Sequence, residues 1–263
     1  MEIKAMYFSP TKTTEKAILG IGENLSKELK YPLTKINITS SKARMDKYSF
    51  NNEDILVLGL PVYAGRIPEI LEGFVANLKG DKTLAIVVAV YGNRDYDDAL
   101  LEMKNLLKDN GFDVIAAATF IGEHSFSDKI ATGRPDEKDM QFTKMISDKI
   151  AEKILSIKND KGLVDDLNVK GNLPYKERAK LPPLSQKTTD ECIECMLCVE
   201  NCPVDAINKE DPTKIDQDKC IICCSCIKTC PENAKYIDNE NILGLKAMLE
   251  KNFMERKEPE LFI

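Results

Sequence analysis

Over residues 1–158, short apolar runs alternate with stretches in which apolar residues recur at helical spacing. Apolar runs bounded by turn residues read as strands buried on both faces, and the periodic stretches read as helices packed on them. The pattern predicts strands at Ile3–Phe8, Leu33–Ile38, Asp54–Leu60, Thr83–Tyr91 and Asp113–Ile121, with helices over about 13–30, 67–79, 96–110 and 135–158. This order predicts a doubly wound α/β domain around a five-stranded parallel sheet. Gly20 and Gly22 lie inside the first predicted helix, where they suit close helix packing better than a dinucleotide loop.

The pattern then changes. Asp165, Asp166, Gly171, Pro174, Pro182 and Pro183 interrupt residues 159–187, which read as a linker draped over a surface. Residues 188–239 form a second, small α+β module, and residues 240–263 a closing helix and tail. That helix is expected over Asn241–Lys257, with Leu243, Ala247, Met248 and Phe253 turned inward. With 43% hydrophobic residues, 263 residues suffice for one or two cored domains. A net charge of −6 argues against nucleic acid and against an anionic membrane as partners. The longest apolar stretch, Leu84–Val90, is too short to span a bilayer, and Met1–Lys4 shows no secretory pattern, so a cytoplasmic location is expected.

The chemistry of the second module is written in its cysteines. Cys192, Cys195, Cys198 and Cys202-Pro203 form one C-x2-C-x2-C-x3-C-P run, and Cys220, Cys223, Cys226 and Cys230-Pro231 form another 28 positions later. This run holds [4Fe–4S] cubes in two-cluster bacterial ferredoxins, the fourth cysteine reaching the other cube. The expected ligand sets are Cys192, Cys195, Cys198 and Cys230 for the first cluster, and Cys202, Cys220, Cys223 and Cys226 for the second. Zinc uses isolated C-x2-C pairs but rarely an interleaved triplet. The ninth cysteine, Cys224, adjoins a ligand and reads as a small buried apolar residue. Exposed-cluster chemistry implies a low-oxygen cell.

Three loops leave the carboxyl ends of predicted strands, where doubly wound sheets bind ligands. The first, Ser9-Pro10-Thr11-Lys12-Thr13-Thr14, precedes a helix and offers hydroxyls and amides to an anion. The second carries Pro61, Val62, Tyr63, Ala64 and Gly65, and the third Tyr91, Gly92, Asn93, Arg94 and Tyr96. The first resembles the flavodoxin phosphate loop, and the other two resemble the flavodoxin loops that bracket an isoalloxazine ring. The whole chain resembles the flavodoxin–ferredoxin fusion proteins of anaerobic bacteria and archaea. That resemblance implies FMN held by Ser9, Thr11, Lys12, Thr13 and Thr14 at the phosphate and by the residues of the other two loops at the flavin. It departs from the flavodoxin pattern at Lys12, where glycine is usual; a positive φ there is harder for lysine. No tryptophan is present to cover the ring.

The expected function is electron transfer between FMN and two [4Fe–4S] clusters, with redox partner proteins of unknown identity. The alternatives are a flavin-dependent reductase of a small molecule, with His124 or Arg66 projecting into a flavin pocket, and a redox-sensing module. His124, the sole histidine, leaves the fifth predicted strand within Glu123–Ser127 and is a weak catalytic candidate. The linker permits the cluster module to meet its own sheet domain or that of a second copy, so a homodimer is one of two expected arrangements. Asp97-Asp98 and Asp165-Asp166 read as solvated charges at a helix start and in the linker.

Overall fold

The structure, a computed structural model, describes residues 1–160, 164–178 and 183–263. Residues 161–163 and 179–182 of the expected linker, Pro182 among them, lie outside the described residues. In chain order the elements are β1 (Glu2–Tyr7), α1 (Thr13–Leu29), β2 (Leu33–Asn37), β3 (Ser49–Phe50), β4 (Asp54–Pro61), α2 (Glu69–Val75), β5 (Lys79–Gly80), β6 (Thr83–Tyr91), α3 (Ala99–Asp109), β7 (Phe112–Ile121) and α4 (Glu137–Asp160). The second half adds β8 (Lys187–Thr188), α5 (Leu197–Glu200), α6 (Ser225–Thr229), β9 (Lys235–Tyr236), α7 (Glu240–Asn252) and β10 (Glu260–Phe262).

The main sheet runs β10-β7-β6-β4-β1-β2. Its five expected strands are all parallel to one another. Without β10, the order is that of the flavodoxin-like doubly wound sheet, with the switch in winding direction beside β1. Side chains alternate across the sheet, and both faces are buried. Ile3, Ala5, Ile55, Val57, Ile86 and Val88 join the layer beneath α1 and α4. Met6, Leu56, Leu58, Leu60, Val87 and Ala89 join the layer beneath α2 and α3. Two buried faces explain why these strands read as continuous apolar runs. At Gly20 a Cβ would lie 2.5 Å from the Met140 side chain, so this glycine permits the close approach of α1 and α4.

The tail departs from expectation. Residues 260–262 pair antiparallel with Ala117–Thr119 and add a sixth strand at the edge of the sheet. Three residues carry too short a pattern to read as a strand, and only an open sheet edge gives them partners. The closing helix presents a different face from the one expected. Ile242 and Leu249 are buried, whereas Leu243, Ala247 and Met248 are exposed. Apolar residues lie around much of α7, and its inner face is chosen by the Leu184, Ile222 and Phe126 side chains it meets.

The described part of the linker lies against the sheet domain. Leu167 and Val169 bury into the layer beneath α3, and Lys104 donates to the Leu167 carbonyl at 2.6 Å. Asp98 is buried, not solvated as expected, and accepts the amides of Asn172 and Lys176 at 2.7 and 2.6 Å. Long-range partners of this kind are invisible to a local charge pattern.

Candidate cofactor sites

The loops after β1, β4 and β6 stand side by side, because these three strands are neighbours in the sheet. In the first, the Ser9 amide donates to Thr39 Oγ1 at 2.8 Å, and the Ser9 hydroxyl accepts the Glu15 amide at 3.0 Å. Lys12, immediately before α1, has φ 64°, the left-handed conformation in which glycine is at ease. It brings the Thr13 and Thr14 amides to the start of a 17-residue helix, where backbone N–H groups have no intrahelical acceptor. Thr14 is 1% exposed, and its hydroxyl has no hydrogen-bond partner among the described residues. A buried, unpaired hydroxyl at a helix start fits a donor to a phosphate.

In the second loop, Tyr63 and Arg66 exchange backbone hydrogen bonds at 2.8 and 3.1 Å. The turn between them has Ala64 at φ 52° and Gly65 at φ 88°. Gly65 is required twice over: its φ is positive, and a Cβ there would meet Asp97. Burial pushes the Tyr63 phenol well above its ordinary range, and negative charge at Cys223 and Cys224 pushes it the same way. This loop thus lies within electrostatic reach of the second cysteine run.

The third loop corrects the expectation. Tyr91 and Tyr96 are 4% and 5% exposed and pack edge-on against each other with ring centres 5.5 Å apart. The Tyr96 hydroxyl faces the Glu260 carboxylate, and burial pushes both phenols up. Neither ring has a free face to offer a flavin. Asn93 is likewise committed: its side-chain amide donates to the carbonyls of Phe253 and Glu255, and its oxygen accepts the Lys257 amide. Gly92, half-buried, and the Arg94 backbone complete the loop. Arg66 is committed to Glu102, whose two carboxylate oxygens accept from it at 2.7 Å each.

His124 lies against Gly92, where a Cβ would be 2.4 Å from the imidazole Cδ2. Its Nδ1 accepts the Phe126 amide at 3.1 Å, which assigns the neutral ring. Burial lowers its pKa to about 4, with the positive charges of Lys228 and Arg94 adding. The loop around it is a seam between the two halves of the chain. Glu123 pairs with Lys228, Ser127 donates to Glu250 at 2.7 Å, and Phe126 packs among Leu184, Ile222 and Ile242. On the other side, Ser41 meets Asp205 and Arg44 donates to the Pro203 carbonyl.

The eight motif cysteines surround two cavities. Cys192, Cys195, Cys198 and Cys230 line one. Cys202, Cys220, Cys223 and Cys226 line the other. Each therefore takes three sulfurs from one run and one from the other. Among the described residues, no group of three or more His, Cys, Asp or Glu is gathered to hold a single metal ion. A cube gives each thiolate its own iron, so four sulfurs around a cavity are the arrangement it requires. Burial raises Cys223 to about 12 and also raises Cys198, Cys220 and Cys226. Cluster iron would reverse this, since a coordinating thiol is deprotonated outright. Cys224 is fully buried and lines the second cavity without belonging to the run.

Residues 186–208 match the family model of the 4Fe-4S binding domain. The chain thus joins a flavodoxin-like α/β domain to a 4Fe-4S binding domain. A comparison with curated proteins found no match. Among solved structures, an archaeal flavodoxin aligns at 17% identity and a TM-score of 0.43, covering 59% of this chain and 99% of its own. Flavodoxin 2 from Bacillus cereus aligns at 14% identity and 0.42, covering 58% and 99%. The rubredoxin oxygen:oxidoreductase of Desulfovibrio gigas aligns at 14% and 0.42, covering 59% of this chain and 36% of its own. Of the residues near these sites, Gln186 and Lys235 were not singled out from the sequence. Gln186 lines the second cavity with an unpartnered buried side-chain nitrogen, and Lys235 lines the first.

Proposed function

We propose that the chain is an electron-transfer iron–sulfur flavoprotein that couples FMN to two [4Fe–4S] clusters. Flavin exchanges electrons in pairs or singly and each cluster exchanges one, so together they link two-electron and one-electron carriers. The observation that carries this reading is the placing of two four-cysteine cavities beside the strand-end loops of the same chain. Ile221, between Cys220 and Cys223, packs against the core of the sheet domain. The second cluster, ligated by Cys202, Cys220, Cys223 and Cys226, is the inner one on this reading. Ser9, Thr11, Thr13 and Thr14 hold the phosphate; Tyr63, Ala64, Gly65 and Gly92 border the ring.

The reductase alternative draws no support from Arg66, which is held by Glu102. The neutral His124 is turned into the seam between domains. Redox partner proteins supply and remove electrons, and the exposed Ile193 and Cys195 make the first cluster the outer contact.

Anaerobic purification with iron, sulfide and flavin quantified tests the reading. Two cubes for each FMN, with electrons passing from photoreduced flavin to cluster signals, are expected. A chain that binds zinc in place of iron, or that takes up no FMN, would overturn it.

A further inference from the structure

The two cavities are built on one repeat, and the repeat is broken at a buried position. Backbone conformation recurs 28 residues apart: φ is 55° and 54° at Glu194 and Ile222, 62° and 61° at Met196 and Cys224, and 50° and 54° at Asp205 and Asn233. The amides of Ala206 and Ala234 donate to the sulfurs of Cys202 and Cys230 at 3.3 and 3.2 Å. The next equivalent pair is Ile207 and Lys235. Ile207 presents an apolar side chain to the second cavity, whereas Lys235 lines the first.

Lys235 is 3% exposed. Its ammonium donates to Thr188 Oγ1 at 2.6 Å and to the carbonyl of Pro212, which lines the same cavity. A buried charge is costly unless hydrogen-bonded, and these two oxygens hold it in place. Both acceptors are neutral, and the one carboxylate that lines the same cavity, Glu232, is exposed to solvent and so more strongly screened than the buried ammonium.

A cube that takes up one electron becomes one unit more negative. A fixed positive charge close by in a poorly solvated site favours that uptake. We propose that Lys235 makes the cluster of Cys192, Cys195, Cys198 and Cys230 the stronger electron acceptor of the two. This rests on both cavities holding cubes. An electron lost by the inner cluster, next to the sheet domain, is then gained by the outer one, where Ile193 is 62% exposed. Lys235 acts as a positioning charge and is not itself reduced or oxidised.

The test is a potentiometric titration of the full chain, loaded anaerobically with iron and sulfide and followed by EPR with dithionite as reductant. Two cluster potentials are expected in the unmutated chain. Lys235→Gln should shift the sharing of one electron between the clusters about tenfold, equal to about 59 mV for one electron, by lowering the potential of the cluster of Cys192, Cys195, Cys198 and Cys230 more than that of the other. Lys235→Arg, which keeps the charge, should keep the split. Movement of both potentials equally, or of neither, overturns the proposal, while two cubes per chain leave the electron-transfer reading standing. Fewer than two cubes in the unmutated chain sinks that reading and this one together. Should Lys235→Gln lose a cube, cysteine β-proton NMR of the half-reduced unmutated chain decides. The first electron should reside on the cluster of Cys192, Cys195, Cys198 and Cys230; residence on the other refutes the assignment.

Discussion

Thr14 and His124 are each kept in a state that their neighbours impose. The Thr14 hydroxyl is buried without a partner, which costs the empty chain about 1–3 kcal/mol of desolvation. Thr14→Val should therefore leave the FMN-free protein as stable as before, or more so, in thermal unfolding. On the proposed function the same change removes a hydrogen bond to the FMN phosphate, worth about 1.5–3 kcal/mol, so FMN affinity in a fluorescence titration should fall roughly ten- to a hundredfold. Riboflavin, which lacks the phosphate, should bind equally to both. His124 has its pKa lowered to about 4 by burial and by Lys228 and Arg94. The unfolded chain, with an ordinary pKa near 6.5, binds the extra proton more readily. Its contribution is thus complete above about pH 6.5 and is lost as pH falls toward 4. Urea unfolding should show a loss on the order of 2 kcal/mol over that window, allowing for partial exposure. His124→Gln should flatten the dependence.

At the scale of elements, the tail and the third loop support each other. Asn93 holds the segment from Phe253 to Lys257 by three hydrogen bonds, and β10 follows it onto the sheet. Asn93 also sits at φ 63°, which alanine tolerates poorly. Asn93→Ala should destabilise the chain by about 3 kcal/mol in chemical denaturation, with Asn93→Gly recovering about 1 of these. Equal losses in the two variants would mean that the hydrogen bonds account for all of it. The loop's turn residues were legible in the sequence; their partners, some 160 positions away, were not. The five parallel strands could be read because each is buried on both faces. By contrast, the face of α7 could not, because apolar residues occupy more than one side of that helix and only its neighbours choose between them.

For the whole molecule, the proposed route between cofactors depends on how the halves meet. The cluster module is held to its own sheet domain at two places, through Ser41 and Arg44 on one side and Glu123 and Ser127 on the other. This favours transfer within one chain. A variant without FMN (Thr13 and Thr14 changed) mixed with one without clusters (Cys195 and Cys223 changed) should not regain flavin-to-cluster transfer, even when subunit exchange is confirmed. Recovery in stopped-flow experiments would establish transfer between copies. Glu123→Lys opposes two positive charges across the seam and should slow transfer in the intact chain while both cofactors stay bound.

What the sequence determined by itself is what depends on local spacing. The cysteine runs specify which sulfurs a proposed cube would use, because a cube demands thiolates at short fixed intervals. The apolar runs specify strands, and turn residues mark the loops between them. Tertiary structure decided what depends on distant partners. It buried Tyr91 and Tyr96 against each other, although the resemblance to flavodoxin loops implied that they border a flavin. It gave residues 260–262 a strand only because β7 had a free edge. It brought Lys235 to a cavity whose twin holds Ile207. A repeat in sequence makes two sites alike; the charge that folding buries beside one of them makes them differ.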